Sequence, residues 1–107
     1  MKWEVVLEER VVDDLRWFGR KNARVILNEL LERLQQDPLG GTKRMKSLRP
    51  NDIAGRQLSL MGRFRVLFNV DAENHRVAVV LVGEKKGERL HVRGEEFTKH
   101  HESDSIE

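Results

Sequence analysis

The sequence has 107 residues, 38% of them hydrophobic and 36% charged, with a formal net charge of +2. That length supports one hydrophobic core and that balance excludes a membrane-embedded or compositionally disordered chain, while no apolar run approaches the roughly 18 residues of a transmembrane helix. The lack of cysteine excludes a disulfide framework, thiolate metal ligands and cysteine nucleophiles, and fits a reducing cytoplasm.

Trp3, Val5 and Leu7 alternate with Lys2, Glu4 and Val6, which predicts a short first strand with one buried face. Charges follow so closely that no signal peptide is expected. From Glu8 the period lengthens. Val11, Val12, Leu15 and Phe18 recur at three and four, with Glu8, Glu9, Asp13, Asp14 and Arg16 opposite, the pattern of an amphipathic helix with acidic residues at its start. Gly19 is the expected stop, and Asn22 the expected N-cap of a second helix. In that helix Val25, Ile26, Leu27, Leu30, Leu31 and Leu34 form a wide apolar stripe ending at Asp37-Pro38, because proline pushes its predecessor out of helical geometry. Two helices joined this tightly form a hairpin whose apolar surface needs a sheet to cover.

Residues 38 to 56 hold both prolines, Gly40-Gly41, Asn51-Asp52 and Gly55, and are expected to be one long irregular stretch. They also lie in the basic part of the chain. Residues 43 to 65 carry seven basic side chains against Asp52 alone, whereas the segments on either side have balances of −1 and −3. A basic block in a nearly neutral protein points to a local field aimed at a polyanion, or else to a solvated cationic surface.

Three strand-like runs follow: Gln57 to Met61, Arg63 to Val70 and His75 to Val82, separated by Gly62, by Asp71-Ala72-Glu73-Asn74 and closed by Gly83. In the middle run Phe64, Val66, Phe68 and Val70 face the core, and Arg63, Arg65, Leu67 and Asn69 face the other way. That alternation predicts Arg63 and Arg65 side by side on the open face. Val77 to Val82 is apolar throughout, as a central strand is. Arg89 to Val92 is a further short extended segment. One domain over residues 1 to 97 is expected, with a polar, frayed tail from 98 to 107.

The order of strand, helix hairpin, basic loop and three-stranded meander resembles the RelE/ParE superfamily of type II toxins. The matching pieces are GRFRVLFNVD at 62 to 71, VGEKKGERLHVRGEEF at 82 to 97, Asp14-Leu15, the helix end from Leu34 to Pro38, and Met45-Lys46-Ser47-Leu48. The second of these favours the RelE-like subgroup. The resemblance implies an α+β fold: a small, mainly antiparallel sheet with the helical hairpin on one face and a basic concave surface on the other. It also implies a cognate antitoxin as partner and one of two activities. RelE-like members cut mRNA on the ribosome and so inhibit translation; ParE-like members inhibit DNA gyrase by binding. A degenerate toxin that only binds its antitoxin is the third alternative.

Metal-free RNA cleavage needs a base for the 2′-hydroxyl, cations for the crowded phosphorus and an acid for the departing 5′-oxygen. By the resemblance, Arg65 takes the place of the phosphate-binding arginine. Lys85, two residues after Gly83, stands where an arginine stabilises the transition state, and supplies charge without the bidentate fork. His91 stands where a tyrosine acts as general acid or stacks, and an imidazole titrating near about 6.5 serves as either acid or base. Lys43, Arg44, Lys46, Arg56, Arg63, Lys86 and Arg89 are the expected nucleic-acid contacts. Two catalytic lysines of the family are replaced, by Arg56 or Gln57 and by Ser59, so a base must come from His91 or a loop lysine such as Lys46. His100 and His101 are read as solvated, no metal or other cofactor is expected, and no membrane is a partner.

Overall fold

A computed structural model describes residues 2–40, 44–48 and 53–97. β1 (Glu4–Leu7) leads into α1 (Glu9–Trp17) and α2 (Arg20–Gln36), followed by β2 (Met45–Ser47), β3 (Arg56–Leu60), β4 (Phe64–Asp71), β5 (Arg76–Lys86), β6 (Arg89–Val92) and β7 (Glu95–Glu96). The sheet runs β2-β3-β4-β5-β6-β7 with antiparallel neighbours, and β1 lies parallel to β5. This is the expected α+β arrangement. The expected tail, residues 98 to 107, lies outside the described residues.

The helical hairpin packs on one face of the sheet. Ile26, Leu30 and Leu34 of α2 and Val11 of α1 are fully buried against Leu58, Val66, Phe68, Val77, Val79 and Val82. The stripe read from the sequence is therefore the core, except that Val12 and Val25 stay exposed. A smaller cluster of Ala54, Leu67, Val80, Leu81 and Val92 lies across the sheet, which is why β5 is apolar on both faces. A register shift between Leu67 and Phe68 lets β4 serve both clusters.

Three expectations about local structure are corrected, and one element is added. The N-cap of α2 is Gly19, three residues before Asn22: at φ 88° it makes the reversal directly, and Asn22 sits inside the helix, its amide donating to the Phe18 carbonyl at 3.3 Å. The basic loop contains an edge strand, β2, paired with β3 from Met45–Leu58 to Ser47–Arg56. The last long strand does not stop at Gly83 but runs on to Lys86, where Gly87 at φ 61° turns it into β6. Gly83 is a point of close approach rather than a turn, since a Cβ there would lie 2.6 Å from the His91 carbonyl oxygen. Finally, the chain forms one more hairpin, into β7, through Arg93 at φ 50° and Gly94 at φ 81°.

β5 has β4 along one edge and two partners along the other. β1 covers Arg76 to Val79 and β6 covers Glu84 to Lys86. In the gap between them the Val82 N–H donates to Oδ2 of Asp14 at 3.0 Å. That carboxylate is fully buried, and its Oδ1 forms an ion pair at 3.2 Å with Nε of Arg93. Burial pushes the Asp14 carboxyl above its ordinary value, although the Val82 N–H, Arg10 and Arg93 all pull the other way.

Candidate nucleic-acid interface

Paired residues on adjacent strands share a face of the sheet. The face opposite the helices can thus be followed across it. Lys46 on β2 pairs with Gln57 on β3; Ser59 on β3 pairs with Arg65 on β4; Arg65 pairs with Gly83 on β5; and Lys85 on β5 pairs with Leu90 on β6. These residues, with Glu88 at the β5–β6 turn, line a shallow cavity of about 380 Å³.

Arg65 lies at its centre. Alternation on β4 turns Phe64 and Val66 into the core and Arg65 outward, and its cross-strand neighbours, Ser59 and Gly83, leave room above it. One Nη1–H donates to the Phe64 carbonyl at 3.0 Å, and half-burial lowers its pKa from the ordinary arginine value. Among the described residues no ion pair engages Arg65, Lys46 or Lys85. Three cations therefore face a groove containing one carboxylate, Glu88, with Gln57 and Ser59 as neutral hydrogen-bonding groups. Such a surface attracts phosphate and leaves several contacts for it to make.

The other expected site residues are placed elsewhere. His91 pairs with Glu84 and so faces the helix side, away from Arg65; its Nδ1 lies 3.3 Å from the Arg89 carbonyl oxygen. Arg63 precedes β4 and turns to the same side, where its guanidinium pairs with Glu84 and lies 4.7 Å from the Phe64 ring centre. Arg56 donates to Ser47 Oγ and to the Gly40 carbonyl, both at 2.9 Å, and ties the start of the basic segment to β2. Arg89 pairs with Glu96 and faces Lys86 across the hairpin, again on the side away from Arg65. Arg44 is exposed beside Glu29 and Arg33 of α2, in a separate depression. Lys43, His100 and His101 lie outside the described residues.

Of the residues expected from the sequence, the sheet thus brings Lys46, Arg65 and Lys85 to one cavity, together with Glu88 and Leu90, which the sequence reading did not name. Reading Lys-Lys-Gly-Glu-Arg-Leu as a two-residue hairpin turn would have found both, because that turn sets Leu90 opposite Lys85 and His91 on the other face. The register also decides the replaced lysines. Gln57 and Ser59, not Arg56, occupy the open face.

No family model and no curated protein sequence matches the chain. Among solved structures, its fold is similar to that of a chain in the RelBE2 toxin–antitoxin complex from Mycobacterium tuberculosis, with a TM-score of 0.68 over 79% of this chain and 93% of that one, at 19% sequence identity. The protein has a RelE-like fold.

Proposed function

We propose that the protein is the toxin of a type II toxin–antitoxin pair, held in check by a partner protein, and that it acts as an RNA endonuclease on ribosome-bound mRNA. The observation that carries this reading is the convergence of Lys46, Arg65 and Lys85 on the open face of a fold similar to a chain of a toxin–antitoxin complex. A phosphodiester laid over Arg65 has cations on both sides. In the proposed step the 2′-oxygen attacks phosphorus, the bond to the 5′-oxygen breaks, and a 2′,3′-cyclic phosphate and a 5′-hydroxyl result. Arg65 and Lys85 offset the charge gathered on the phosphoryl oxygens. The proton of the 2′-hydroxyl passes to Glu88, a carboxylate that accepts a proton without first losing one, and the Lys46 ammonium protonates the departing 5′-oxygen.

One observation favours the second reading, inhibition by binding without chemistry, with DNA gyrase as the target. The groove floor holds an amide and a hydroxyl, Gln57 and Ser59, where RelE-like nucleases carry lysines. The two readings separate on induction of the protein in cells, with mRNA ends mapped and DNA breaks scored in parallel. Cleaved mRNA that disappears with Arg65→Ala supports the nuclease. DNA breaks with intact mRNA support the gyrase inhibitor.

A further inference from the structure

The two ends of the groove differ in character. At one end Lys85 stands opposite Leu90, whose side chain leans over Gly83: its Cδ1 lies 2.9 Å from where a Cβ on Gly83 would be. A methyl group fills that space. At the other end Gln57 stands opposite Lys46 of β2 on one side and Leu67 of β4 on the other. Leu67 is buried in the smaller apolar cluster with Ala54 and Leu81, on which Leu48 and Ile53 also pack. Gln57 thus marks the boundary between the cations and an apolar patch.

The place of this amide is set by β3. Leu58 and Leu60 are drawn into the core, which turns the half-buried Gln57 and Ser59 to the open face. Across the β3–β4 pair Gln57 is the diagonal neighbour of Arg65, at about 7 to 8 Å. A nucleotide has parts that match this layout. With the scissile phosphate over Arg65 and Lys85 and the departing 5′-oxygen at Lys46, the sugar that carries this oxygen lies on the Lys46 side. Its base then meets Gln57, the group directly across from Lys46, with an apolar face toward the cluster and a polar edge toward the amide. A primary amide donates through its nitrogen and accepts through its oxygen in one plane. Adenine offers the complement, an acceptor at N7 beside a donor at N6, whereas guanine offers two acceptors on the same edge. A lysine in this position would only donate.

We infer that Gln57 reads the base on the 3′ side of the cut and selects adenine there. The inference rests on the proposed nuclease reading and names the substrate preference of that same groove. The test uses the purified full chain on ribosomes carrying a defined mRNA, with the nucleotide after the mapped cut varied among the four bases and 7-deazaadenosine, which lacks the N7 acceptor. Single-turnover cleavage before adenine should be faster than before any other base by about tenfold or more, and 7-deazaadenosine should lose that advantage. Gln57→Leu should bring the four rates within about threefold of one another, and Gln57→Glu should move the preference to cytosine, whose N4 amino group donates to a carboxylate. Each readout is a ratio within one variant, so a general loss of rate does not obscure it. Equal rates with the wild type, preference for another base, or an adenine preference that survives Gln57→Leu would overturn the inference and leave the nuclease reading in place. Failure to cleave any of the messages would instead overturn the proposed function and the inference with it.

Discussion

Arg65 and His91 show how much a single step of register decides. Both are polar positions in strands, and both match the resemblance, yet the β5–β6 pairing sends Arg65 and Lys85 to one side of the sheet and His91 to the other. Alternation within β4 made Arg65 legible in the sequence. Alternation alone does not reveal the face of His91, which depends on where the Gly87 turn closes the hairpin. The expected behaviour of variants follows from this. His91→Gln should leave single-turnover cleavage of ribosome-bound mRNA unchanged, whereas Glu88→Gln should slow it by about 10²-fold or more, the scale of general acid–base catalysis. The opposite ranking would return the proton transfer to the histidine. A different residue reveals a local cost. Met61 sits at φ 53° before Gly62 at φ 66°, in a turn closed by the Arg63 N–H and the Leu60 carbonyl, with its side chain 54% exposed. An unbranched residue other than asparagine or glycine is unfavourable there. Met61→Asn should therefore raise unfolding free energy by about 0.5 to 1 kcal/mol, read from denaturant titration.

At the scale of elements, strands and helices with one buried face were legible, because burial writes itself as a period in the sequence. The helix stripe and β1, β3 and β4 fall where that period places them. β2 was not legible: three residues embedded in a basic, glycine-rich stretch form a strand only because the edge of β3 supplies partners. The length of β5 was hidden for the opposite reason, since Gly83 resembles a stop but is needed for the close approach of β6. Asp14 was read as part of a polar helix face, and it is the buried acceptor that completes the β5 edge where β1 ends and β6 has not begun. Its raised pKa has a defined sign. Above the ordinary value of 3.8, the folded chain retains a proton that the unfolded chain has released, so this residue's contribution to stability falls as pH rises through that window. Asp14→Asn keeps an acceptor for the Val82 N–H and removes the titration. The melting temperature of the wild type relative to this variant should be highest near pH 4 and decline toward neutrality. A difference that grew with pH would mean that the Arg93 ion pair outweighs burial.

For the whole molecule, the sign and rough location of the charge were legible, and its distribution over faces was not. Seven basic residues fall between 43 and 65, and the fold separates the five that lie among the described residues. Arg56 and Arg63 are drawn into internal pairs, Arg44 stands beside α2, and Lys46 and Arg65 remain for the groove, joined by Lys85 from outside the block. A basic stretch in sequence is therefore only partly a basic surface. Under the proposed function, what meets a strand is the smaller set that the sheet gathers on its open face, while the helical hairpin packs against the other side of the same sheet. The measurement that tests this most directly is the chemistry of the cut ends. Purified ribosomes carrying a defined mRNA, treated with the wild-type protein under single-turnover conditions, should yield fragments ending in a 2′,3′-cyclic phosphate and beginning with a 5′-hydroxyl, and Arg65→Ala should yield none while keeping its fold by circular dichroism. Intact mRNA with the wild type, or equal cleavage by the variant, would contradict the account.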